Sequence, residues 1–307
     1  MASLAFWVLF HVSVGALIAL DLGAGLRRRG PMGAREGLAW LALWLLAGAL
    51  VGSVVASLSG PGGALLYFSS YAVEYMLSVD NLLVFAAIFQ ALGTPRELRP
   101  LALYAGIMGA VLMRASFIYG GLLLLEAFWW ALPALGLLLT YTGWALWRGE
   151  GGRDRAGGIL GWLRARLPLA QGSTGSRLLV RQEGRIRATP LLLAILALEA
   201  TDFIFALDSV PAVLVLTEDL LIAYTSNVMA VVGLRSIYSL VELALLRLPD
   251  LNRLLGLVLI FLGLSTIAEG LGLPISVYLL AAATLAALLL GLALALLRSR
   301  RGRSLAR

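Results

Sequence analysis

Glu74-Tyr75-Met76-Leu77-Ser78-Val79-Asp80-Asn81 places two carboxylates, a hydroxyl and an amide inside a run that is otherwise apolar from residue 64 to residue 92. A run of that length spans a bilayer, for which about 20 apolar residues suffice. An isolated acid at the centre of such a helix costs about 2.5–3.5 kcal/mol on an insertion scale. Two acids within one span therefore need compensation from elsewhere in the chain. A second run, residues 190–217, carries Glu199, Asp202, Asp208 and Ser209. Aligning Asp80-Asn81 with Asp208-Ser209 puts Glu74 over Asp202, and both copies then read acid, five residues, acid, and Asn or Ser.

Composition sets the class. The chain has 307 residues, 61% of them hydrophobic, with a mean hydropathy of +0.93, which describes an all-α polytopic membrane protein rather than a soluble domain. It has no cysteine and a single histidine, His11, so disulfides, thiolate metal sites and a His-based zinc or copper site within one chain are excluded. All 24 basic residues are arginine and nearly all fall between apolar runs. The net charge of +7 thus reflects the positive-inside rule and not a nucleic-acid surface. No phosphate-binding Gly-x4-Gly-Lys loop is present, so any transport is driven by a gradient or a partner.

Nine spans are expected: residues 4–22, 38–58, 64–92, 100–125, 128–147, 190–217, 220–246, 251–271 and 274–297. Arginines follow spans 1, 3, 5, 7 and 9, whereas the turns after spans 2, 4, 6 and 8 carry none. That alternation predicts an N-terminus outside and a C-terminus in the cytoplasm of the inner (plasma) membrane. Span 1 precedes its arginines, the wrong order for a cleaved signal peptide. Asp21, near the end of that span, reads as interfacial, and His11 as a hydrogen-bonding core residue. The chain divides into two N-terminal spans (1–63), a first repeat (64–147), a cytoplasmic basic loop (148–189), a second repeat (190–272) and a ninth span with an Arg-rich tail (273–307). Within the loop, residues 159–167 read as a short interfacial helix around Trp162, and Glu183-Gly184 as the turn of a small hairpin.

The acid motifs lie in spans 3 and 6, three helices apart, so they cross the membrane in opposite directions. Spans 3–5 and 6–8 are therefore expected to form an inverted 3+3 repeat, a common construction of secondary transporters. Residues 106–118 resemble residues 227–240, with Arg114 over Arg235 as counter-charges one span after each motif. On a regular helix Glu74, Ser78 and Asn81 share a face, as do Glu199, Asp202 and Ser209, while Asp80 and Asp208 point to neighbouring faces. Pro211 cannot donate to the Leu207 carbonyl, so a local break there would free a cation ligand beside Asp208. Glu74, Asp80, Asn81, Asp202, Asp208 and Ser209 form the candidate metal site, with Ser78, Glu199, Thr201 and Leu207 behind them. All are hard oxygen donors, suited to Mn²⁺, Mg²⁺ or Ca²⁺. Clustered carboxylates repel one another when empty, so metal and protons should exchange, coupling export to an inward proton gradient. Against this stands a plain structural alternative, in which the acids pair with Arg114 and Arg235 to lock helices together.

These two motifs resemble the signatures of the TerC/Alx family of integral membrane proteins, within the LysE-type transporter superfamily. Glu74 through Phe85 is similar to the first signature, and Glu199 through Ala212 to the second. Leu20-Asp21-Leu22, Arg187-Ala188-Thr189-Pro190 and Gly233-Leu234-Arg235 also fit, so the resemblance covers roughly residues 10–270. Gly263-Leu264-Ser265-Thr266 departs from the family pattern, which has a lysine near that point. The resemblance implies Mn²⁺ export and relief of metal stress, with tellurium resistance as the historical name. It implies no enzyme activity and no organic cofactor; the partners are a divalent metal ion and the lipid bilayer, with no nucleic acid. The competing expectations are a membrane-protein assembly or scaffold factor with structural acids, and an intramembrane aspartyl hydrolase. The last lacks a Gly-x-Gly-Asp sequence at Asp80 or Asp208.

Overall fold

The computed structural model describes residues 3–27, 32–148, 153–170, 175–182, 184–242, 251–273 and 275–290. They form helices α1 (Leu4–Arg27), α2 (Ala34–Ala91), α3 (Arg99–Ala127), α4 (Ala131–Arg148), α5 (Arg153–Arg166), α6 (Pro190–Leu216), α7 (Leu220–Val232), α8 (Leu234–Glu242), α9 (Leu251–Gly270) and α10 (Val277–Leu290). A single antiparallel hairpin, β1 (Leu179–Gln182) with β2 (Arg185–Ala188), precedes α6. Among the described residues, six helical segments are long and apolar enough to cross a membrane.

The expected second and third spans are the two arms of α2. Gly60 sits between them at φ 73, a backbone region open to glycine at little cost, and Pro61 opens the second arm with its φ already set for a helix. The arms fold back on each other: the Tyr67 hydroxyl donates to the Gly48 carbonyl at 2.9 Å, and a Cβ at Gly52 would lie 2.5 Å from the Phe68 ring. Pairing of 48 with 67 and of 52 with 68 is that of an antiparallel helical hairpin around Gly60. The expected fifth span, α4, is a short helix of 18 residues carrying Thr140, Tyr141, Thr142 and three residues of lower apolarity, Trp144, Trp147 and Arg148. Of the ninth span only α10 lies within the described residues.

The seventh span departs from its expected form. It is two helices, α7 and α8, divided at Gly233, where the backbone packs against Trp44 and Tyr75. A Cβ at Gly233 would be 3.4 Å from the Trp44 Cβ. α7 is the centre of the molecule: every residue from Leu221 to Val232 except Tyr224 is buried, against α2, α3 and α6. α1 lies at the periphery, with apolar side chains such as Leu4, Leu9 and Leu20 exposed.

α4 and α9 form a separate pair joined to this centre through α6. Their seam is made by glycines that bring backbones together, as small residues do between membrane helices. A Cβ at Gly136 would lie 2.7 Å from the Gly263 carbonyl oxygen and 2.8 Å from Ile267; one at Gly143, 2.6 Å from the Gly256 carbonyl oxygen and 2.7 Å from Ile260. From the other helix, Gly256 meets Gly143 and Trp147, and Gly263 meets Gly136 and Thr140. Adding 120 to a residue number on α4 gives a position on α9 (136 to 256, 140 to 260, 143 to 263, 147 to 267), and the exchange leaves this set of contacts unchanged. That is the property of a two-fold seam.

One end of the molecule carries Arg96, Arg99 and Arg148 together with α5 and the hairpin. The Arg164 guanidinium donates to the Ala91 carbonyl at 2.8 Å, which tethers α5 to the end of α2 and places a cation where the helix leaves carbonyls unpaired. We call this end the basic face. α5 is longer than the expected interfacial helix, and Trp162 on it is exposed beneath the Arg166 guanidinium at 4.5 Å. The hairpin forms at the expected turn, with Gly184 at φ 74. At the opposite face lie the Gly60 turn, the exposed Phe128-Trp129-Trp130 corner and the turn at Thr217, without an arginine among them. Tryptophans at such a level match the aromatic belt of a bilayer interface.

Candidate functional site

The acid motifs meet at Arg114. Glu74 stands near the middle of the second arm of α2, Asp202 near the middle of α6 and Arg114 near the middle of α3, so all three lie deep between the two faces. Arg114 is 1% exposed and Glu74 0%. The guanidinium grips Asp202 in a fork, Nη2 to Oδ1 at 3.1 Å and Nε to Oδ2 at 3.3 Å. Its Nη1 donates to Glu74 Oε1 and, at longer range, to the Ser209 hydroxyl at 3.2 Å and Asn227 Oδ1 at 3.4 Å. Asn227 in turn donates from Nδ2 to Glu74 Oε2 at 3.0 Å, and the Ser78 hydroxyl donates to Glu74 Oε1 at 3.1 Å. Four helices thus converge on one cation.

The electrostatics follow from the count. Two buried carboxylates face one guanidinium, and Ser78 and Asn227 each donate a further hydrogen bond to Glu74. Glu199, one turn before Asp202 on α6, is half-buried, and a Cβ at Gly109 would lie 1.9 Å from its Oε1. Only glycine at that position of α3 leaves room for the carboxylate. Among the described side chains no three His, Cys, Asp or Glu groups form a preformed ligand set. What is present is an ion-pair cluster with negative charge in excess.

The other expected residues divide as follows. Asn81 is buried one turn beyond Ser78. Thr201 is buried but turns its hydroxyl to its own helix, donating to the Ala197 carbonyl at 2.6 Å. Pro211 does not break α6, which runs as one helix from Pro190 to Leu216; its missing N–H still leaves the Leu207 carbonyl without its usual helical donor, while the Leu207 side chain is exposed. Asp80 and Asp208 stand on their helices six residues beyond Glu74 and Asp202, and their side chains lie outside the described residues.

Arg235 is not a counter-charge to the second acid motif. It pairs with Asp21 of α1: Nε donates to Oδ2 at 3.0 Å and Nη2 to Oδ1, with a further contact from Nη2 to the Asp21 carbonyl at 3.4 Å. Tyr104 presents its ring to the same guanidinium at 5.2 Å, and Gly25 allows close approach from α1. Asp21, expected at an interface, is 0% exposed, because α1 continues past it to Arg27 and Arg235 meets it inside. Asn227 was likewise not foreseen as a site residue. Its signal was an amide alone in the apolar run 220–234, on a helix that proves to be the most enclosed. His11 does hydrogen-bond, to the Trp7 carbonyl and the Tyr224 hydroxyl, each at 2.8 Å, but it is exposed and not in the core.

Between the two arginines lies a cavity of 20 Å³ lined mostly by apolar side chains, with Asp202 and Arg235 as its charged members.

Buried charges at mid-depth, held between apolar helices with lipid-type exposed surfaces, define a multi-pass integral membrane protein with a polar centre. The chain belongs to the integral membrane protein TerC family, which it matches over residues 59–304. It is 36% identical over 259 residues to an uncharacterized membrane protein of Myxococcus xanthus, covering 84% of this chain and 81% of that one. It is 30% identical over 284 residues to an Escherichia coli K12 protein named "Putative membrane-bound redox modulator Alx", covering 88% of each. A Rickettsia bellii membrane protein is 28% identical over 294 residues, 95% of this chain and 97% of its own length. No solved structure matches.

Proposed function

We propose that this chain is a secondary transporter that exports a divalent cation, Mn²⁺ foremost, through the cluster around Arg114. The observation that carries the reading is the imbalance at that point: Glu74 and Asp202, both buried at mid-depth, share a single guanidinium. A buried excess of negative charge calls for a further cation, either metal or proton. With Arg114 drawn off one carboxylate, Glu74, Asp202, Ser209 and the Asn227 amide oxygen offer hard oxygen donors. Such a set suits Mn²⁺, Mg²⁺ or Ca²⁺. Proton and metal then compete for the same oxygens, which couples efflux to an inward proton gradient.

The reading includes nine spans, with helices 3–5 and 6–8 as inverted repeats, a place in the LysE-type superfamily, and an inner-membrane orientation with the basic face in the cytoplasm. The two-fold seam between α4 and α9 supports the repeat. So do the offsets between its halves, 128 from Glu74 to Asp202, 121 from Arg114 to Arg235 and 120 along the seam, which shrink because the second half has the shorter connections.

One observation favours a second reading. Arg114 directs Nε, Nη1 and Nη2 all onto protein acceptors, as expected of a structural lock in a membrane-assembly or scaffold factor. Flux in proteoliposomes separates the two. The parent should move Mn²⁺, faster toward an acidic receiving side, with binding that weakens below about pH 6. Asp202→Asn, Asp80→Asn and Asp208→Asn should each lose flux while keeping a monodisperse fold. Parent vesicles that carry no Mn²⁺, Mg²⁺ or Ca²⁺ under any gradient would defeat the transporter reading and leave the scaffold.

A further inference from the structure

We propose that α1 is a gate, and that Asp21 is the latch by which it holds Arg235 across the route from the basic face to the Arg114 cluster. This rests on the reading of that cluster as a transport site, and the test below needs no cargo.

The placement of the cavity carries the argument. Its lining residues on α3 (Leu103, Gly106, Ile107, Ala110) all precede Arg114, toward the end of α3 that bears Arg99. Leu198 on α6 precedes Asp202, Phe85 on α2 follows Glu74, and Val231, Leu234 and Arg235 follow Asn227. On every helix the direction is the same, from the cluster toward the basic face. Asp202 therefore belongs to both places, gripped by Arg114 on one side and open to the cavity on the other. Its volume of 20 Å³ exceeds the roughly 10–15 Å³ that admits a water molecule. A hydrated ion does not pass a space of that size, so the route is closed as it stands.

Arg235 is what closes it. Arg235 lines the cavity, and its guanidinium is bonded to Asp21 through Nε and Nη2. A cation entering from this face meets a fixed positive charge, and a cation leaving meets the same barrier. The residue stands just past Gly233, where α7 ends and α8 begins, about 12 Å of helix rise beyond Asn227. α1 supplies the only described carboxylate bonded to Arg235, yet α1 is peripheral and Gly25 is its point of close approach. An element with little burial of its own, holding a buried charge through one side chain, is suited to move at small energetic cost. Asp202 and Arg235 line the same cavity, so a guanidinium released from Asp21 finds a second carboxylate there.

The chain lacks cysteine, so a single introduced thiol reports access. In Ala110→Cys, at the cavity wall, a cationic thiosulfonate added from the basic face should label slowly, and addition of Asp21→Asn should raise the rate at least tenfold from that face only. Gly25→Ala, whose methyl would sit 3.1 Å from Arg235 Nη1, presses on the guanidinium with no loss of charge and should raise the rate about threefold. Asp21→Glu, which keeps the charge, should label at close to the parent rate. Unchanged labelling in both Asp21→Asn and Gly25→Ala overturns the proposal, as does equal opening from the opposite face. Should Asp21→Asn fail to fold, Gly25→Ala decides alone. Failure here leaves Mn²⁺ flux untouched as a measure of the transport reading itself.

Discussion

Arg114 and Arg235 stand at corresponding places in the two halves of the chain, each one span after an acid motif, and they do different things. Arg114 lies within the unbroken helix α3 and draws Glu74, Asp202, Ser209 and Asn227 onto itself from three other helices. Arg235 lies just past the interruption at Gly233, and its partner, Asp21, comes from α1, outside both halves. The N-terminal helix has captured one of the two charges that the sequence sets in parallel. Equivalence of sequence thus does not carry equivalence of pairing, because a buried charge pairs with whichever opposite charge the packing brings nearest.

The largest effect that could break this contrast is at the arginines themselves. Arg114→Ala leaves two buried carboxylates facing each other, and should destabilise the detergent-solubilised protein by about 3–5 kcal/mol, the range for an orphaned buried ion pair. Arg235→Ala orphans a single carboxylate, Asp21, and should cost less, about 1–3 kcal/mol. Equal losses in thermal or denaturant unfolding would mean that the two sites are the same after all.

At the α4–α9 seam the halves should behave alike. Gly143→Ala and Gly256→Ala each place a methyl about as close to the facing backbone as the other, at 2.6 Å. Each should cost about 1–3 kcal/mol, matched to within about 0.5 kcal/mol. A clear mismatch in their unfolding midpoints would argue against a two-fold relation between the helices. The smallest effect belongs to Tyr224→Phe, which removes the exposed hydrogen bond between the Tyr224 hydroxyl and His11 at 2.8 Å. Its loss should change stability by about 0.5 kcal/mol, and a larger change would show that α1 is pinned at this end too.

The helical membrane-spanning class, the turns at Gly60 and Gly184 and the two acid motifs were legible in the chain because each is a local statement. Ser59-Gly60-Pro61-Gly62-Gly63 announces a turn through backbone chemistry, and Glu183-Gly184 does the same for the hairpin. Glu74 and Asp202 stand out because an acid in an apolar run is expensive wherever the run packs. The division of the seventh span was not legible. Gly233 is one glycine among 34, and only its contact with Trp44 and Tyr75 marks it. Nor was the role of Asp21, whose position near a span end reads as solvated until the helix is seen to continue.

The sequence by itself determined that Glu74, Asp202 and Arg114 must be buried, since hydropathy fixes what lies deep inside a membrane-spanning run before any helix has a neighbour. Only the tertiary structure decided which of them meet. Pairing depends on the packing of helices far apart in the chain, over distances of a few ångströms that no local pattern encodes. So Arg114 gathered Asn227 from a helix more than a hundred residues away, and Arg235 went to Asp21.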